Sequence, residues 1–313
     1  MRDSTRPVVF YPPARGFIRA RASPPRRRAR DARLFARAMR ASVAMASAPR
    51  ASVAVARRAR VGRGARRCAR CDAAADASAR VLRGRAVGEV LCGTSVFLVG
   101  IMGTGKSTVG AALAKVMGYN HLDTDELIRG VTKRTPAELF AEAGEEEFRA
   151  IESMILAEVA AYKNCVISTG GGIVCERTNW MHLHNGVTVR LHGDVELLAT
   201  RVLADGVEKR PLLAEGASEE EDEKARRARV IAKIEGLLEK RETMYKQADI
   251  VVPLGSRDGS GAPVDVVVDR VLDALEKRVS EDAKQERLRN EPKEGDITVT
   301  DPRGEMGPKP ERK

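Results

Sequence analysis

The sequence predicts an α/β fold in which a parallel sheet is covered by helices on both faces. Three observations carry that prediction. From about residue 90, short apolar runs alternate with helically spaced stretches, and strands separated by helices favour parallel pairing in a three-layer arrangement. The first apolar run leads directly into Gly100-Ile-Met-Gly-Thr-Gly-Lys106-Ser107, a glycine-rich turn between a strand and a helix. Hydrophobic residues make up 43% of the 313, enough for a packed core.

The elements follow in order. Ser95-Val-Phe-Leu-Val-Gly100 reads as a buried strand. The helix opened by the glycine-rich turn runs to about Met117 and stops at Gly118. A short second strand leads into His121-Leu-Asp-Thr-Asp125. Thr135-Pro136 is an N-cap followed by a first-turn proline. Residues 145–162 have helical spacing, with Phe148, Ile151, Ile155, Leu156 and Val159 on one side. Asn164-Cys-Val-Ile-Ser168 is a third strand, leading into Gly170-Gly-Gly172. Gly186-Val-Thr-Val-Arg-Leu191 is a fourth, and Asp194 caps a helix to about Leu203. Ile250-Val-Val252 is a fifth strand, and residues 262–279 form a closing helix. One domain over about 91–279 is expected, without internal repeats.

Charge is unevenly distributed. Residues 1–90 hold 23 Arg, no Lys and five acids, a charge of +18, whereas the other 223 residues hold 32 bases and 39 acids. The formal charge of +11 comes from one end, which argues against a nucleic-acid-binding body. Residues 1–85 are rich in Arg, Ala and Ser, a composition of organellar transit peptides that leans to a plastid. The expectation is a disordered transit peptide over 1–85, read by plastid import machinery. A basic tail that binds nucleic acid is the alternative, and its few aromatics are not interleaved with arginine. Residues 280–313 read as a charged, disordered tail. No run approaches the roughly 18–20 apolar residues of a membrane span. The cysteines Cys68, Cys71, Cys92, Cys165 and Cys175 are odd in number and suggest no disulfide framework. Cys68-x-x-Cys71 has no second pair or nearby histidine to complete a zinc site.

Gly100 to Ser107 fits G-x-x-x-x-G-K-[ST] without mismatch, between a strand and a helix. Its amides can turn inward as an anion nest, aided by the positive end of the helix. Lys106 reaches the β- and γ-phosphates of a nucleotide, and Ser107 can ligate Mg²⁺. Asp123 and Asp125 lie at the carboxyl end of the second strand, where open α/β sheets place ligands. One can hold Mg²⁺ through water and the other can accept a hydrogen bond from a nucleophilic hydroxyl; Asp123 or Thr124 can also cap the next helix. Phe148-Arg149 lies on an amphipathic helix with Glu152 three residues on. Three consecutive glycines after a strand have no packing rationale and suggest close approach to a ligand. Arg210-Pro-Leu-Leu and Lys240-Arg241 add guanidinium groups.

Taken together, these pieces resemble shikimate kinase from about Phe97 to Val252: the Gly100–Thr108 loop, Leu122-Asp-Thr-Asp125, Glu146-Glu-Phe-Arg149 with Glu152, Ser168-Thr-Gly-Gly-Gly172, Arg210-Pro-Leu-Leu213, and Lys240-Arg241 followed by Tyr245. The resemblance implies a P-loop nucleoside-monophosphate-kinase-like three-layer sandwich, with a five-stranded parallel sheet and a mobile lid at about 204–222. It implies transfer of the γ-phosphoryl group of ATP to the 3-hydroxyl of shikimate, with Mg²⁺ as cofactor. By it, Arg149 and Arg241 clamp the substrate carboxylate, Glu152 orients Arg149, and Gly171 and Gly172 contact the ring. Asp125 binds the acceptor hydroxyls and takes the proton. Gly103, Thr104, Gly105, Lys106, Ser107 and Thr108 bind ATP, Arg201 stacks on adenine, and Arg210 is the lid arginine. Ser107 and Asp123 serve the metal. The lid segment is long and contains the acidic run 219–223, expected to stay outside the closed site. The expected partners are shikimate and ATP, without nucleic acid or membrane, for a monomer or weak dimer in the plastid. A non-catalytic relative and a kinase of another hydroxy acid, such as gluconate, are the alternatives.

Overall fold

The structure, a computed structural model, describes residues 69–207, 210–214, 222–256 and 260–290. In chain order its elements are α1 (Ala69–Val90), β1 (Val96–Val99), α2 (Lys106–Met117), β2 (Asn120–Asp123), α3 (Thr124–Thr132), α4 (Pro136–Val159), β3 (Cys165–Ser168), a 3₁₀ turn (Ile173–Cys175), α5 (Asn179–Leu183), β4 (Val187–His192), α6 (Val195–Asp205), α7 (Pro211–Ala214), α8 (Glu223–Tyr245), β5 (Ile250–Pro253) and α9 (Val264–Asn290).

The five strands make one parallel sheet in the order β2-β3-β1-β4-β5. All four residues of β1 are buried, as a central strand covered on both faces requires. Strand alternation divides the core. Val96 and Leu98 join one apolar cluster with α2, α6 and α9. Phe97 and Val99 join another with α3, α4 and α5. Complete burial of a side chain such as Leu113 or Ile155 stabilises by about 1.5–3 kcal/mol. The chain visits β2 and β3 on one side of β1, then crosses to β4 and β5. That reversal beside β1 creates a crevice at the carboxyl ends of the strands.

The five predicted strands, the helix opened by the glycine-rich turn and the Thr135 cap are all present. Thr135 and Glu138 form a reciprocal capping box, 3.2 and 2.7 Å. The helix expected from residue 145 is the second half of α4, which starts earlier at Pro136 and breaks at Gly144, φ 81°.

Both expected boundaries shift. Residues 69–85, assigned from composition to a disordered leader, belong to α1. Its face is small and sits close to the body. A Cβ on Gly84 would lie 2.3 Å from Val116, the Tyr119 hydroxyl donates to the Gly88 carbonyl at 3.0 Å, and Val87 is buried. Two of its arginines pair across to α9: Arg80 grips Asp269 at 2.7 and 2.8 Å, and Arg83 bonds Glu276 and Asp273. A charge count cannot see that spacing, so it mistakes a docked helix for solvated chain. At the other end α9 continues to Asn290, eleven residues past the expected stop at 279. Residues 1–68 and 291–313, most of the acidic run 219–223, and residues 208–209 and 215–221 of the expected lid lie outside the described residues.

Candidate active site

The glycine-rich loop turns into α2 through Gly105, whose φ of 77° lies in the left-handed region. Lys106 folds back into the loop. Its ammonium donates to the carbonyls of Gly100 and Ile101, 2.8 and 3.1 Å, and lies 3.4 Å from the Thr104 hydroxyl. Burial lowers its pKa to about 8, with Asp125 pulling the other way. Ser107 and Thr108 stand exposed at the mouth of the loop.

Strand register brings the next pieces level. Asp123 of β2 is opposite Ser168 of β3, which is opposite Leu98 of β1. Asp123 caps α3: its Oδ1 accepts from the amides of Asp125 and Glu126, 2.9 and 3.3 Å. Thr124 accepts from the Gly170 amide at 2.9 Å, tying the glycine triplet to the start of α3. Asp125 is then half-buried, facing the loop. Burial, and secondarily the Asp123 carboxylate, raise its carboxyl above the usual range, while Lys106 and Arg210 oppose the shift.

The kinked α4 supplies Arg149, whose Nη1 is 2.5 Å from Glu152 and whose Nη2 is 3.1 Å from Glu145. Glu152 is 3% exposed, and its burial raises its pKa against the pull of Arg149. This pair explains two of the three glycines. A Cβ on Gly172 would lie 2.0 Å from Arg149 Nη1, and one on Gly170 would lie 2.3 Å from Glu152 Oε1. The triplet therefore has a packing rationale that strand and helix spacing alone did not reveal. The middle glycine offers its carbonyl instead: Arg241 and Tyr245 of α8 both donate to Gly171, at 3.0 and 3.2 Å.

Two hollows of about 630 and 640 Å³ open on this edge of the sheet. The first gathers Asp125, Arg149, Glu152, Gly171, Gly172 and Arg241. The second gathers the loop from Gly103 to Thr108, with Arg201. They meet at Met102, Ser107, Asp123, Asp125, Gly171 and Arg210. Every site residue named from the sequence therefore lines one hollow or both. Sequence reading missed Arg129, Thr135 and Phe140 on the wall of the first, and Leu254 and Ala262 in the second. Phe140 packs edge-on against Phe148, centroids 5.9 Å apart, and only the fold brings the two turns together. Arg210 is held by Asp205 at 3.1 Å, and its Nε is buried without a hydrogen-bond partner among the described residues. Among the described residues no three His, Cys, Asp or Glu side chains cluster as a metal site.

The model of the shikimate kinase family matches residues 102–276. A shikimate kinase of Gloeobacter violaceus is 42% identical over 194 residues, which is 62% of this chain and 99% of that one. One from a Nostoc species is 42% identical over 170 residues, covering 54% of this chain and 86% of its own. Among solved structures, a shikimate kinase from Bacteroides thetaiotaomicron is 33% identical with a TM-score of 0.50, covering 58% of this chain and 98% of that one.

Proposed function

The chain belongs to the shikimate kinase family, and from that premise we propose how its residues transfer the γ-phosphoryl group of ATP to the 3-hydroxyl of shikimate in aromatic amino-acid biosynthesis. The observation that carries the reading is the junction of the two hollows. Asp125, Ser107 and Arg210 line both, so a nucleotide in one and a polyhydroxy acid in the other would meet there.

ATP lies along the loop from Gly103 to Thr108, with Arg201 beside the base. Lys106 exchanges its carbonyl contacts for phosphate oxygens. Shikimate sits in the other hollow with its carboxylate between Arg149 and Arg241, a geometry suited to two-pronged pairing. Asp125 accepts the proton of the 3-hydroxyl as that oxygen forms its bond to the γ-phosphorus, and the bond to the β-phosphate oxygen breaks to release ADP. Arg210, with an unpaired buried donor, and Lys106 stabilise the charge on the moving phosphoryl group. The residues also suit Mg²⁺: the hydrogen bonds to Asp123 fall on Oδ1, and Asp123 and the exposed Ser107 line the same two hollows, so these two would hold the ion. Mg²⁺ takes few protein ligands and several from phosphate and water, and when bound it would neutralise phosphate charge.

A plastid location is supported by the Arg-rich leader composition and the cyanobacterial relatives. The test of function is ADP release by the full chain with Mg·ATP, with and without shikimate, and with gluconate as control. Strong dependence on shikimate alone is expected. Stimulation by gluconate instead would move the acceptor, and stimulation by neither would sink the kinase reading.

A further inference from the structure

We propose that Arg190 is a positioning residue for the acceptor hollow, pinning the last turns of α8 to the sheet so that Arg241 and Tyr245 hold the Gly171 carbonyl. The proposal rests on Arg241 serving as part of the carboxylate clamp.

Arg190 sits in the middle of β4 and is 5% exposed, in a strand whose neighbouring residues Val189 and Leu191 are buried and apolar. Packing alone would place an aliphatic side chain there, and an unpaired buried guanidinium is costly. Here it has three partners. It bonds Glu242 in two-pronged fashion, Nη2 to Oε2 at 2.7 Å and Nη1 to Oε1 at 3.2 Å. Its Cζ lies 4.8 Å from the centre of the Tyr245 ring. Its Nη2 is 3.5 Å from His192 Nδ1.

Two of these partners, Glu242 and Tyr245, belong to α8, three residues apart. One guanidinium therefore fixes the rotation of the helix through Tyr245 and its height through Glu242. Arg241 is adjacent to Glu242 in the chain and one turn from Tyr245 on the same face. The Tyr245 hydroxyl and the Arg241 Nη1 converge on one acceptor, the carbonyl of Gly171, in the hollow itself. The path from Arg190 to the hollow is thus two contacts long. Arg190 is buried but its partner Glu242 is 44% exposed, and an ion pair with an exposed partner stabilises little, so orientation rather than stability is its expected contribution.

The test compares Arg190→Met, Arg190→Lys and Glu242→Gln with a remote core variant, Leu275→Ala on α9, in the full chain. Michaelis constants for shikimate and for ATP are measured for each, with thermal midpoints. Arg190→Met is expected to raise the KM for shikimate about tenfold, less than the ~10²-fold that a misplacement of about 1 Å can cost, with the KM for ATP within about twofold. Arg190→Lys, which keeps the charge but loses the fork, and Glu242→Gln, which keeps the shape but loses the charge, should lie between it and the parent. Leu275→Ala should lower the thermal midpoint without that split. Equal changes in both KM values, or none in a folded Arg190 variant, would overturn the proposal while leaving the kinase reading standing. Failure of the parent chain to turn over shikimate would overturn both.

Discussion

The acceptor wall and the lid present the same residue type to one cleft in two different conditions. Arg149 and Arg241 on the wall are already engaged: Arg149 by Glu152 and Glu145, Arg241 by the Gly171 carbonyl. Among the described residues, Arg210 has one ion pair and a buried Nε with no partner. The wall arginines are placed before substrate arrives, so their orientation entropy is spent during folding. Arg210 keeps a buried donor without a partner among the described residues, which suits the role proposed for it of meeting phosphate oxygens. On the proposed reading, a shikimate carboxylate would meet a fixed fork, and a phosphoryl group a completing one.

That contrast can be broken or sharpened. The largest effect is expected at Asp125, where wall and lid meet. Asp125→Asn should lower kcat by about 10²–10⁴-fold with ATP binding intact, measured by single-turnover assay and by calorimetric titration of ATP; turnover within threefold of the parent would remove its role as base. Next, Arg210→Ala should lower kcat by about 10²-fold with a small change in the KM for shikimate. Arg149→Ala should act the other way, raising that KM by about 30-fold, or about 2 kcal/mol. It should also cost about 3 kcal/mol of stability, because Glu152 is left buried and unpaired, which urea unfolding would show. If the two variants gave the same kinetic signature, the distinction between fixed and completing arginines would fail.

The pH profile gives a finer test. Asp125 must be ionised to accept a proton, and its pKa is raised by burial. Activity is therefore present above that pKa and lost as pH falls through it, so the acid limb of kcat/KM should lie above the ordinary aspartate range. Lys106 must be charged to meet phosphate, and its pKa in the free enzyme is about 8. kcat/KM for ATP should then decline above about pH 8, whereas kcat, measured with phosphate bound, should hold to higher pH. The smallest effect belongs to α1. Its ion pairs are partly exposed, so Arg83→Ala should lower the thermal midpoint by about 2 °C or less and leave both KM values unchanged. Removing residues 1–68 should change neither property, while removing residues 1–90 should lower the midpoint clearly.

Local chemistry made the strands, the loop and the Thr135 cap readable. A buried parallel strand must be apolar throughout, a phosphate nest needs its glycines at fixed offsets, and a capping box needs Thr and Glu three apart. The same reading went astray where a partner lay far along the chain. Arg80 pairs with Asp269, 189 residues away, and nothing near Arg80 distinguishes it from the arginines of the leader. The weak signal that could have found α1 is the spacing of Gly84, Val87, Gly88 and Leu91, whose positions share one face.

The sequence by itself therefore determined the order of the five strands, the phosphate loop and a set of residues that line the two hollows, because each rests on contacts within a few residues or on a motif of fixed length. Only the tertiary structure decided that α1 belongs to the domain, that Gly170 and Gly172 make room for Glu152 and Arg149, and that Arg190 stands behind Arg241. Those are facts of packing between segments distant in sequence. A side chain's role there is set by what the fold brings within about 4 Å, which neither composition nor periodicity records.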